Sequence, residues 1–475
     1  MLGLFGTLNL AARSMQAQMT GVEVAGQNLA NVNTTGYSRQ SVQLATSPDV
    51  TTGLGSEGTG VNAVAIRQNV NTLLNAQVQN QQSASGYWNG QQTALQNAQN
   101  ALNEFLNGTS TTASTSTSST ASDSSTGLAA QLNGLFSAFQ AVATSPTSTA
   151  ARQALIGQAQ TLAATFNNVS TQLGSLKTSL NSSLNNSVDS ANQLLSDIAN
   201  LNKQISTAEF SGGTANDLRD AREQDLENLS HLTNITTSTS TNGAVDVSIG
   251  GQSLVTGYSV ADTLQTYDAG GGQMLVQTKT GGTPLTLTGG LMQGTIDARD
   301  GTLATLQNNV NTLAGTLITQ VNGVHNGGYS LTGSTSANFF NGTDAATITV
   351  NAGLVSNPDL IQTSGSATAS GDNSVALQLA QLGSAAQSAL GNQTFNDNYD
   401  AAVAALGSSL ATANTQVTNQ SMVAQMLTTQ RSSISGVSVD EEMTNLLSFQ
   451  RAYEASAKLV STVDTLMGDT LAMKT

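Results

Sequence analysis

Four groups of residues have types and spacings that could do chemistry. The first is "GLGSEG", whose Gly53, Gly55 and Gly58 match the glycine pattern of a dinucleotide-binding turn. Such a turn works by aiming a helix N-terminus at a pyrophosphate. Here "TGVNAVAI" follows, which reads as a strand, and no Asp or Glu occurs between Glu57 and Glu104 to meet a ribose. A turn joining two strands fits better. The second group is the two histidines. His231 ends a helical tract, where a cation meets the last carbonyls, and His325 lies in "VNGVHNGGY", at a helix exit marked by glycines. Neither has a second His at ligand spacing, so a helix-end role or a packed neutral ring is expected, with no metal site. The third is "NDLRDAREQDLENLS", where Asp217, Asp220, Glu223, Asp225 and Glu227 interleave with Arg219 and Arg222. That pattern spells a solvated, salt-bridged helix face, not an acid/base dyad. The fourth is serine, abundant but without a G-x-S-x-G elbow to expose a nucleophile. No catalysis and no cofactor are expected.

Composition narrows the classes further. Over 475 residues, 14 basic and 29 acidic side chains give a net charge of −15, and only 9% of residues are charged. This balance excludes nucleic acid, whose phosphates need a basic surface, and disfavours an anionic membrane surface. The chain has no cysteine, which removes thiol catalysis, disulfides and Cys-based metal sites. No apolar run approaches the roughly 20 residues of a spanning helix. "MLGLFGTLNLAA" carries its charge, Arg13, after the apolar run, and is read as mature sequence.

The elements that must position these residues are mostly helical. From Met1, the positions Leu4, Leu8, Ala11, Met15, Gln18, Val22, Ala25, Leu29 and Val32 step by three and four, and all but Gln18 are apolar. That is a coiled-coil seam. Gly3, Gly6, Gly21 and Gly26 each weaken it by about 1 kcal/mol relative to Ala, so it needs a partner. The other end supplies one: Leu446, Phe449, Tyr453, Ser456, Val460, Val463 and Met467 step likewise, after a capping-box spacing at Ser438 and Glu441. The termini are expected to pair with each other and then with neighbouring subunits. Between the seam and the chain's interior lies "NLANVNTTGY". There the amides of Asn28, Asn31 and Asn33 could bond the last helix carbonyls, beside Thr34, Gly36 permits a left-handed turn, and Tyr37 anchors the outgoing strand.

Four regions are expected. They are a terminal coiled coil (1–36 with 437–475), a helical rod (37–234, 291–326 and 371–436), an outer β domain (235–290) and a small β-rich insertion (327–370). A strand pair spans "YSRQSVQLATSP" and "GVNAVAIRQ", and helices are expected over about 66–106, 127–143, 149–208, 215–231, 291–325 and 374–431. The Ser/Thr-rich run at 109–127 reads as a flexible loop.

"NLANVNTTGY" and "SGVSVDEEMTNLLSFQRAYEASAKLVSTVDTLM" resemble the paired terminal signatures of the rod, hook and hook-associated proteins of the bacterial flagellum. "NDLRDAREQDLENLS", "GGLMQGTIDARD", "VNGVHNGGYSLTG" followed by "FF", and "SGDNSVALQLAQL" resemble the FlgK-type branch, the first hook-filament junction. Phe449 stands where that family usually has Tyr. The resemblance implies a mainly α fold with inserted β modules, whose N- and C-terminal helices pair as a coiled coil. It implies a structural adaptor, secreted through the flagellar type III channel and lodged extracellularly between hook and filament. Its partners would be copies of itself in a ring, the hook protein, the second hook-filament junction protein and an export chaperone shielding the C-terminal stripe. Its terminal helices would order only on assembly. Two alternatives stay open: a hook or distal rod protein of the same family, and a secreted surface hydrolase or adhesin.

Overall fold

The computed structural model describes residues 3–52, 55–106, 127–210, 212–240 and 243–473. Most of the Ser/Thr-rich run lies outside them. The chain opens with helix α1 (Leu4–Ala30) and a long hairpin. In it β1 (Gln40–Thr46) pairs antiparallel with β4 (Val61–Gln68), while β2 (Val50–Thr52) and β3 (Gly55–Glu57) form the tip. The glycine-rich "GLGSEG" therefore belongs to a hairpin, with Gly53 outside the described residues. The next helix, α2 (Thr72–Leu106), begins well beyond it, so no helix N-terminus is aimed there.

After α2 come α3 (Leu128–Thr144) and α4 (Thr149–Glu209). The 61 residues of α4 make a helix roughly 90 Å long at 1.5 Å per residue. Ser148 caps it, accepting the Ala151 N–H at 3.3 Å. Its buried side chains keep three–four steps along almost the whole length, from Leu155 to Ile205. That stripe serves two cores in turn. The half from Leu155 to Leu180 packs with α3 and later helices, and the half from Leu184 to Ile198 packs with the β region.

The β region follows α5 (Asn216–Leu232). Strands β5 (Ile235–Thr239), β6 (Val245–Ile249), β7 (Gln252–Thr256) and β8 (Ser259–Val260) form a meander, and β9 (Leu264–Asp268) and β10 (Met274–Thr278) a hairpin. In β6, Val245, Val247 and Ile249 are buried and alternate with less buried Asp246 and Ser248, the two-residue period of a half-covered sheet.

The tract expected as one helix over 291–325 divides into α6 (Gly290–Asp297), a π-helical turn (Ala298–Leu303) and α7 (Ala304–His325). Buried Arg299, in that turn, reaches Asn181 Oδ1 and Met274 O, both at 2.7 Å, and ties α4 to β10. Upstream, α6 crosses α2 so closely that a Cβ on Gly294 would stand 2.0 Å from Tyr87 O. Between 327 and 370 the only strands are β11 (Phe340–Asn341) and β12 (Thr349–Val350), with α8 (Ala352–Ser356) after them. β content is small because side chains take over the ladder's work: Asn322 Oδ1 accepts the N–H of Phe339 and of Phe340.

The tract expected as a helix over 374–431 also breaks, into α9 (Ser374–Gln381) and α10 (Phe395–Ser435). Gly391 takes φ +67° and Thr394 caps α10 through the Asp397 N–H, so "GNQT" is a stop and a restart. The chain ends in α11 (Val439–Ala472), which packs antiparallel in chain order against α1, closing first residue to last. The fold is mostly helical, with several small sheets and paired terminal helices.

Candidate assembly surface

The pairing of α1 with α11 is built on small residues. The buried positions of α1 are Ala11, Ala17, Gly21, Val24, Ala25 and Asn28. Leu4, Leu8, Met15, Val22, Leu29 and Val32, expected as the seam, are half-buried along its flank. The contact face is thus turned about one position away from the large apolar side chains. The reason is visible at Gly21, where a Cβ would lie 2.7 Å from Cδ1 of Phe449. The ring fills the space a side chain would need, and the helices approach over alanine and glycine. On α11, Val463 is buried and Leu446, Phe449, Tyr453, Val460 and Met467 are half-buried. Ser14 and Ser456 meet hydroxyl to hydroxyl at 2.9 Å.

At the base of this pair sits Asn28, 1% exposed. Its Oδ1 accepts from the Tyr37 hydroxyl at 2.9 Å and the Gln40 N–H at 3.0 Å. Its Nδ2 donates to Gln40 O at 2.8 Å and to Glu442 at 3.1 Å. All four bonding positions of the amide are used. Asn28 therefore does not cap its own helix; Asn31 does, donating to Gln27 O at 3.0 Å. Asn33 is exposed, and Thr34 bonds Asn31 Oδ1 at 3.1 Å. Gly36 makes the turn with φ +82°.

Arg39, which the sequence reading did not single out, completes the joint. Arg39 donates to buried Glu442 at 2.7 Å and to Glu441 at 2.8 Å. Ser438 accepts the Glu441 N–H at 3.5 Å, so the capping box is half-made, its Glu side chain turned to Arg39. A signal existed: Arg39 is the only basic residue between Arg13 and Arg67, and three consecutive acids, Asp440 to Glu442, open the last helix.

The acidic helix α5 is not the solvated face expected of it. Asp217 accepts from Gln40 at 2.9 Å, Asp220 from the Ser38 N–H at 2.9 Å, and Glu223 from Gln79 at 2.9 Å. Glu227, buried, pairs with Arg431 of α10. Arg222 is buried too, donating to Asn202 Oδ1 and Gly243 O at 2.9 Å each, and burial pulls its pKa down to about 10. One row of carboxylates thus clasps the hairpin, α2 and α10 together. Burial, then Asp217, Asp220 and Glu442, pushes the Tyr37 pKa up to about 12, which keeps the phenol a donor to Asn28. Burial alone lowers the His231 pKa. His325 is fully buried, with Nδ1 2.7 Å from Ala337 O and Nε2 accepting the Gln362 N–H at 3.0 Å. It is a packed neutral ring. Among the described residues no group of three His, Asp or Glu is disposed to hold a metal, and no helix is long and apolar enough to cross a membrane.

Beyond the paired faces, large apolar side chains stand in water. On α1 these are Phe5 and Met19; on α11 they are Met443, Leu447, Leu459, Leu466 and Leu471, with Met473 just after it. Exposed apolar side chains in such number on two helices mark an interaction surface.

Comparison with known proteins agrees with this arrangement. The family described as the flagellar hook-associated protein FlgK helical domain matches residues 114–340, and that of the flagellar basal body rod FlgEFG protein C-terminal region matches 428–473. Flagellar hook-associated protein 1 of Bacillus subtilis is 28% identical over 513 residues, covering 98% of each chain. Its namesake in Salmonella typhimurium is 24% identical over 566 residues, covering 97% of this chain and 98% of the other. Among solved structures, the flagellar hook junction protein FlgK from Burkholderia pseudomallei aligns with a TM-score of 0.63 at 19% identity, over 76% of this chain and all of the other; this likeness speaks for the fold. The helical interior, the C-terminal region and relatives aligned over nearly the whole chain agree: the chain is similar throughout to the FlgK-type flagellar hook-associated proteins.

Proposed function

We propose that the chain is a non-catalytic structural adaptor of the bacterial flagellum, copies of which form a ring joining hook to filament. Its partners on this reading are its own copies, the hook protein, the second hook-filament junction protein and, before export, a chaperone on the C-terminal stripe. It is secreted and resides at the extracellular junction. The observation that carries the reading is the α1–α11 pair. Its inner faces are small and matched, while Leu4, Leu8, Met15, Val22, Leu29 and Val32 on the flank, and the outer side chains of α11, stay partly or wholly uncovered. Each such side chain gains roughly 1.5–3 kcal/mol on full burial, which only neighbouring chains can supply.

A hook or rod protein would share the termini, but the match to the FlgK helical domain over 114–340 favours the junction. An adhesin or hydrolase would need a binding platform. The single tryptophan, Trp88, is instead half-buried against the helical core, edge-on to Tyr87 at 5.1 Å.

Deleting residues 440–475 tests the proposal. The two central cores contain no residue of that segment, so they should fold, while cells should carry hooks without attached filaments. Filaments of normal length on such cells would refute the adaptor role.

A further inference from the structure

We infer that the uncharged outer face of α10, which lies over α2, is the lateral contact between neighbouring copies of this chain. The inference rests on the ring proposed above and names the surface that closes it.

Two long helices of this strongly acidic chain carry almost no charge. There is no Asp, Glu, Lys or Arg between Arg67 and Glu104, nor between Asp400 and Arg431. The second gap covers about 45 Å of α10 at 1.5 Å per residue. α10 is not uncharged because it is interior. Between Ala413 and Leu427 none of its residues is buried, and Met422 and Met426 are 58% and 60% exposed. Solvated helix faces ordinarily carry Lys, Glu, Arg or Asp; this one offers Ala, Thr, Asn, Gln and Met.

The inner side of α10 is already satisfied. Gln81 Nε2 donates to Gln420 O and Oε1 at 2.9 and 2.8 Å, and Gln92 Nε2 to Asn414 Oδ1 at 2.8 Å. Leu74, Val78 and Leu427 close the end nearest the terminal pair. What remains is an outward face of neutral side chains, which cost less to desolvate than charged ones and can hydrogen-bond a matching face.

The occupant follows from charge. Copies each carrying −15 repel wherever their acids meet. The exposed side of α11 brings Glu441, Glu454, Asp464 and Asp469 against only Arg451 and Lys458. Like-charge juxtaposition is avoided on the outer face of α10. The face is also continuous with the terminal pair, since α10 passes into α11 through Gly436–Ser438. It lacks the basic residues that would hold anionic lipid.

The test uses the full-length chain on cells. A photo-cross-linking residue at exposed Thr418 should give a covalent product containing two copies of this chain. Products only with other proteins or lipid, or no product, overturn the inference. In parallel, Thr415→Glu with Asn419→Glu, both exposed positions, should reduce cells bearing filaments at least tenfold. The matching Thr415→Gln with Asn419→Gln should not. Normal filaments on the glutamate variant overturn the surface while leaving the adaptor reading to the 440–475 deletion. Normal filaments on the deletion strain sink that reading whatever the cross-link shows.

Discussion

Asn28 uses its two amide atoms for four bonds that join α1, the opening turn, β1 and α11. Asn28→Asp keeps the shape but turns two donors into an acceptor facing Gln40 O and the Glu442 carboxylate. Leaving buried polar groups unpaired costs about 1–3 kcal/mol each, so the terminal pair should lose about 3 kcal/mol at neutral pH. Faster hydrogen exchange at the Gln40 amide would report it; an unchanged Gln40 amide would dismiss the hub. The sequence offered "NLANVNTTGY" as a capped turn, and half of that was legible: Asn31 and Gly36 act locally. Asn28 was not, because its partner Glu442 lies 414 residues away and no local pattern encodes such a meeting. His325 gives a second test. Burial depresses its pKa to about 4 from 6.5, so the folded ring stays neutral while the unfolded one takes a proton. Its stabilisation is therefore complete above pH 6.5 and lost as pH falls toward 4, a change of roughly 3 kcal/mol at 1.36 kcal/mol per unit. His325→Gln should flatten the denaturation midpoint between pH 6.5 and 4 relative to the parent chain.

Two of the helices show how far periodicity carries. It located both terminal helices and the helix expected over 149–208, where α4 lies, because apolar recurrence reports that a helix has a buried side. It placed Ala11 and Ala25 in the contact but gave the rest of the seam to large side chains that lie half-buried on the flank, and counted the glycines only as weak points. At Gly21 the absence of a side chain is the contact, and a single sequence does not distinguish that from mere tolerance. The difference is measurable. In an open helix Gly→Ala gains about 1 kcal/mol. At Gly21 the new Cβ meets the Phe449 ring at 2.7 Å, so Gly21→Ala should destabilise the pair by about 1–2 kcal/mol. Adding Phe449→Leu should return most of that loss in a double-mutant cycle. Additive losses would mean that the ring is not what Gly21 accommodates. Gly294→Ala meets backbone instead, Tyr87 O at 2.0 Å, which cannot rotate away. Its cost should exceed that of Gly21→Ala and appear in the melting of the central cores.

Stability in the whole molecule is graded from the middle outward. α4 buries side chains along almost its full length between two cores, whereas α11 buries only Glu442 and Val463 of its 34 residues. The mostly helical fold, its small sheets and its paired ends could be read from where the periods change. The degree of cover could not, because it depends on which neighbours a helix meets. A helix with so few buried contacts approaches the marginal stability of an isolated one. The ends are thus built to open at low free energy, and the rod only with global unfolding. In dilute monomer, amides of α11 should exchange at least 100-fold faster than those of α4 between Leu155 and Ile198. The 100-fold corresponds to about 2.8 kcal/mol at 1.4 kcal/mol per decade. Chains recovered in assembled junctions should show the α11 amides slowed to near the α4 rate, since neighbours then cover Leu447, Leu459 and Leu466. Equal protection of α11 and α4 in the monomer would mean that the α1–α11 contact alone suffices, and coupled ordering would have to be abandoned.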